Sequence, residues 1–146
     1  MVVLGCDTHK QVPLSSVAKE IQARGYRARE SFASPPKDWE ISRFRLRSRV
    51  IVAFKADQPL PNENEKYYCR FSLAEETYDS SDDAQQRLDH LHDPSPDGPV
   101  EDEYSRVLRD GFIVDHTLYI LQTDAAIFLP EIQRLTKALA ASRIER

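Results

Sequence analysis

The sequence predicts an α+β fold: an antiparallel sheet of about four to six strands, with an N-terminal and a C-terminal helix packed on it. Three stretches carry that expectation. Gly111 to Arg143, the most apolar part of the chain, opens with two β-branched and aromatic clusters, Phe112-Ile113-Val114 and Leu118-Tyr119-Ile120-Leu121. Its apolar period then changes from two to about 3.6. Trp39 to Ala56 alternates, with Phe44, Leu46, Val50, Val52 and Phe54 on even numbers and Arg43, Arg45, Arg47 and Arg49 on odd ones. Gln11 to Arg24 places Leu14, Val17, Ala18 and Ile21 on one helical face.

Taken in order, Met1 to Cys6 reads as a short strand or an irregular start. The helix over Gln11–Arg24 is opened by Pro13 or Ser15 and stopped by Gly25 in a left-handed conformation. Tyr26 to Ala33 is the first strand, and Ser34-Pro35-Pro36-Lys37-Asp38 breaks it because neither proline can donate to a ladder. Trp39 to Ala56 reads as one long β region with a break or bulge near Ser48, since it exceeds ordinary strand length. A loop follows over Gln58–Lys66, then a half-buried strand with Tyr67, Cys69, Phe71 and Leu73 inward. Ser80 or Ser81 caps a helix with Asp82 and Asp83 in its first turn and a thin stripe of Ala84, Leu88 and Leu91. Asp93 to Pro99 is a proline-rich loop, and Glu101 to Asp110 reads as a short helix ended by Gly111. Asp115-His116-Thr117 either turns a tight hairpin or interrupts one strand buried on both faces. Leu129, Ile132, Leu135 and Leu139 then share a helix face, with Pro130 suited to the first turn.

At 146 residues the chain is expected to form one domain over 1–146, large enough to fold without disulfide or metal. No apolar run approaches the ~20 residues of a membrane span. MVVLGC lacks a charged leader, so a cytoplasmic protein with reduced Cys6 and Cys69 is expected. The net charge of −4 is unevenly spread. Met1 to Ala74 holds 13 basic and 8 acidic residues, whereas Glu75 to Glu103 holds 11 acids against Arg87 alone. A mobile acidic and proline-rich segment over about 75–103 is therefore expected beside a basic half.

Few residues suggest catalysis. Cys6, Asp7 and His9 lie too close in sequence to make a triad. His90 and His92 point about 200° apart on a helix and cannot share a metal unless the helix has ended. His116 belongs to a turn, Cys69 to the core, and four unclustered glycines make no phosphate loop. No catalytic residue, metal or cofactor is expected, and a hydrolase using His116 or the His90/His92 pair ranks last.

Charge placement is the functional signal. On one long strand Arg43, Arg45, Arg47 and Arg49 would form a row of guanidinium groups, extended by Arg24, Arg27 and Arg29 if the first strand lies alongside. Such a row suits an acidic protein partner, the chain's own acidic arm, or RNA with Tyr26 or Tyr68 stacking on bases; it is equally a solvated or protected face. Asp82, Asp83 and Asp89 could present carboxylates to a basic partner, as a toxin-neutralising immunity protein does. The order helix, strands, short helices, hairpin, helix, together with small size and net acidity, resembles the type III secretion chaperone-like architecture. That resemblance implies binding of partner polypeptides. The expectation is a non-enzymatic protein-binding module of chaperone or adaptor type, with a homodimer in view; the immunity protein and RNA binding through the arginines are the alternatives.

Overall fold

The computed structural model describes residues 11–61, 67–92 and 108–144. Helix α1 spans Ser16–Ala23 and begins where the Ser15 hydroxyl accepts from the Ala18 N–H at 3.1 Å. It is shorter than its apolar pattern, because Gln11 and Val12 bond to the first strand instead. There the Val12 N–H donates to the Ser31 carbonyl at 3.0 Å and the Ser31 N–H donates to Gln11 Oε1 at 2.8 Å. Gly25, at φ +102°, ends the helix as expected. Strand β1 is Tyr26–Ala33.

Trp39 to Ala56 is not one β region. Asp38–Phe44 is a helix, α2, and only Leu46–Ala56 is strand β2. Asp38 and Glu40 lie in the first turn, where the exposed N–H groups favour acids, and Glu40 Oε1 accepts from the Lys37 N–H at 2.9 Å. Arg45, left-handed at φ +62°, closes α2. The expected irregularity near Ser48 is a bulge between Leu46 and Ser48 in the pairing with β3 (Arg70–Tyr78). It reverses side-chain phase, so Leu46 faces one side of the sheet while Val50, Val52 and Phe54 face the other.

Helix α3, Ser81–His92, takes the predicted cap: Ser80 Oγ accepts from the Asp83 N–H at 3.1 Å. Residues 75–92 of the acidic segment are thus a strand end and a helix packed on the sheet, whereas 93–107 lie outside the described residues, as do Met1–Cys6 and His9. The expected helix over Glu101–Asp110 fails at its described end, where Leu108–Val114 is strand β4. Gly111 is consequently no helix stop. A Cβ on it would sit 2.9 Å from the Tyr119 carbonyl oxygen, a close approach that only glycine permits. Asp115 and His116 turn β4 into β5, Thr117–Thr123, so the hairpin reading holds. A 3₁₀ turn, Ala126–Phe128, leads into α4, Leu129–Ile144.

The five strands form one antiparallel sheet in the order β1-β2-β3-β5-β4. The terminal helices α1 and α4 share one face, burying Val17, Ile21, Ile132 and Leu139 against Val52, Phe54, Phe71, Leu73 and Leu121. The opposite face carries α2 and α3 over a second cluster of Phe44, Leu46, Tyr78, Ala84, Leu118 and Ile120. An α+β fold with helices flanking the sheet results. Among the described residues no helix is long and apolar enough to cross a membrane.

Candidate functional site

Helices α2 and α3 cover only part of their face. Their apolar partners are Leu46, Ile51, Ala74, Leu118 and Ile120, toward one end of the strands. Toward the other end, Arg27 of β1 pairs with Lys55 of β2, and Lys55 pairs with Arg70 of β3. Directly paired residues project from the same face, so three cations stand side by side on neighbouring strands. A bulge between Ala28 and Glu30 adds Arg29 to them. The uncovered region is concave. Arg29, Ala53, Lys55, Arg70, Ser72, Gln122 and Asp124 line a depression of about 440 Å³, and Arg27, Asp57 and Tyr68 line an adjoining one of about 230 Å³ that shares Arg29 and Lys55.

Local contacts hold the cations in place without neutralising them. The Lys55 ammonium lies 5.3 Å from the centre of the Tyr68 ring. Thr123 Oγ1 donates to the Arg70 carbonyl at 3.1 Å, tying the start of β3 to the end of β5. Arg27 reaches Asp57 only at 4.0 Å, with both side chains largely exposed. Among the described residues, Arg29 and Arg70 have no carboxylate partner. Glu30 projects beside Ala53, so the surface is mixed but cation-rich.

The arginine row drawn from sequence parity is not a row. Arg43 lies on α2 with its guanidinium 5.2 Å from the Phe44 ring centre, and Arg45 is the α2 cap; both are exposed. Arg47 is the extra residue of the β2 bulge, exposed and paired with Asp79. Arg49 points under α2, only 12% exposed, between Glu40 and Glu76, and Tyr78 donates its hydroxyl to Glu76. Burial works against the Arg49 charge, but the two carboxylates more than offset it and raise its pKa. Arg49 is an internal anchor and is out of a partner's reach. Tyr26 is also inside, donating to Glu131, which removes it as a stacking platform, whereas Tyr68 is exposed.

On α3, Asp82 and Asp89 are exposed, Asp89 accepting from Gln85 at 3.0 Å, while Asp83 accepts from the Ser80 hydroxyl at 2.9 Å. The His90 ring packs 5.4 Å from that of Phe44, and His116 Nδ1 lies 2.7 Å from the Tyr78 carbonyl, fastening the β4–β5 turn to β3. Among the described residues no group of three His, Cys, Asp or Glu is placed to hold a metal. Cys69 is in the core, 1% exposed, and burial pushes its thiol up to about 12. Comparison with protein-family models, with curated proteins and with solved structures finds no match for this chain.

Proposed function

We propose that this protein is a non-enzymatic binding module that seats an acidic segment of another polypeptide on the uncovered half of its sheet. One observation carries the reading: Arg27, Lys55 and Arg70 occupy directly opposed positions on three adjacent strands. Like charges so placed destabilise a sheet. A local rule broken with so little internal compensation marks a surface kept for something outside the chain. An anionic ligand relieves the repulsion, and the concavity supplies Ser72 and Gln122 as neutral hydrogen-bonding groups beside the cations. A chaperone or adaptor role is the form of this reading in which the acidic segment belongs to a client.

The β1 edge is a poor place for the segment to add as a further strand. Gln11 and Val12 engage Ser31, Gln22 Oε1 accepts from the Ala28 N–H at 3.2 Å, and the bulge interrupts the ladder. The face, not this edge, is therefore where the segment is expected to bind. Fluorescence anisotropy with a labelled glutamate-rich peptide tests this. Micromolar binding that weakens with salt and is lost in Lys55→Glu/Arg70→Glu, but kept in Arg43→Glu, is the expected result. Equal loss in Arg43→Glu, or tighter binding of an oligouridine than of the peptide, overturns the proposal.

A further inference from the structure

Resting on that reading, we propose that the concavity is built for a phosphorylated residue of the bound segment, with its phosphoryl group between Lys55 and Arg70 and Arg29 as the third donor. Spacing is the first argument. Directly opposed side chains leave the sheet with Cβ atoms about 4.5–5.5 Å apart. Carboxylates on the same side of an extended ligand recur about 6.6–6.8 Å apart, two residues at the strand rise. The paired Lys55 and Arg70 are closer than two such carboxylates, but both can reach one tetrahedral dianion. Arginine donates to it through two parallel N–H groups, and lysine acts as a point charge.

Shape and charge point the same way. A depression of about 440 Å³ accepts a side-chain head group, not only a passing backbone. The β1 bulge brings Arg29 in from the side, and three cations match a group that carries about −1.5 to −2 charges and three acceptor oxygens. The Tyr68 ring beneath Lys55 fixes that ammonium near the rim. Asp124 on the lining offers an acceptor for a peptide N–H of the bound segment.

The test uses the full chain and three labelled peptides identical except for a central phosphoserine, glutamate or serine, read by fluorescence anisotropy. Phosphoserine is expected to bind at least about tenfold more tightly than glutamate, with millimolar inorganic phosphate competing. Its advantage should shrink as pH falls from about 7.5 to 5.5, because the second phosphate pKa is about 6; the glutamate peptide should change little there. Arg70→Ala and Arg29→Ala should each reduce the phosphoserine advantage, with thermal unfolding showing that both variants fold. Equal affinity for phosphoserine and glutamate overturns the phosphoryl assignment while leaving the acidic-segment reading intact. Failure of all three peptides to bind, or tighter binding of an oligouridine, overturns both.

Discussion

Replacing Arg49 by methionine separates a buried anchor from a surface arginine two positions away. The Arg49 side chain is 12% exposed, and its carboxylate partners Glu40 and Glu76 are 7% and 4% exposed. Methionine fills much of the same space but leaves two buried carboxylates without their cation. Removing one partner of a buried pair costs about 3–5 kcal/mol, most of it the uncompensated charge left behind. Two stranded carboxylates put Arg49→Met near the upper end, about 4–5 kcal/mol, with the Tyr78 hydroxyl still donating to Glu76. Arg47→Ala breaks an exposed pair with Asp79 and should cost under about 1 kcal/mol. Urea unfolding followed by far-UV circular dichroism measures both. The triple variant Arg49→Met/Glu40→Gln/Glu76→Gln should recover much of the loss, because the stranded charges go with the cation. An Arg49→Met loss no larger than that of Arg47→Ala would refute the internal anchor.

Four other measurements follow from the same structure. Burial holds the Glu75 carboxyl above its usual range against the opposing Ser15 hydroxyl; a raised folded pKa contributes stability that is present at low pH and lost as pH rises through it. Glu75→Gln should therefore gain on the parent protein as pH rises above the ordinary carboxylate range of about 4 in chemical unfolding, and a gap that does not depend on pH would contradict this. Glu20 runs the other way: burial raises its pKa, but Arg24, Arg143 and Ser142 outweigh it, so its contribution is lost as pH falls, and Glu20→Gln should flatten the acid limb of the stability profile. In a Cys6→Ser background, Cys69 should react with a disulfide reagent only as fast as the protein opens, and fast labelling in native buffer would show that the thiol is not in the core. Arg70→Thr should raise stability by about 0.2–1 kcal/mol at low salt, with the gain shrinking as salt screens the cross-strand repulsion.

Periodicity was most legible where one face is buried along a whole element. The inward residues of α4 and the α3 stripe follow from it directly. The reading failed at Trp39–Arg45 because residues 43–47 alternate arginine and apolar side chains as a half-buried strand would. The competing signal was local: Asp38 and Glu40 behind two prolines mark a helix start, with Glu40 in position to reach back to Lys37. Parity also misled across Leu46–Ser48, since one unpaired residue swaps the faces of everything beyond it. Arg27 and Arg29 could be suspected from sequence, but Lys55, Arg70 and Gln122 could not. They belong together only through pairing between β1, β2, β3 and β5, and register between strands distant in sequence is not written in any one of them. At Glu101–Asp110 the expected helix was an extrapolation from three apolar residues, one of which, Leu108, begins a strand.

The bulge at Arg29 gives β1 an unusual tolerance of length. Ala28 pairs with Phe54 and Glu30 with Ala53, so the pairing on either side already fits a strand one residue shorter. Loss of most codons within a strand throws its downstream half out of phase; loss of the codon for Arg29 would close the gap and leave Tyr26, Ala28 and Ser31 facing the core. A shortened gene would thus encode the same sheet with a plainer surface. One cation of the depression can then be gained or lost separately from the fold, by a change in chain length as small as one residue.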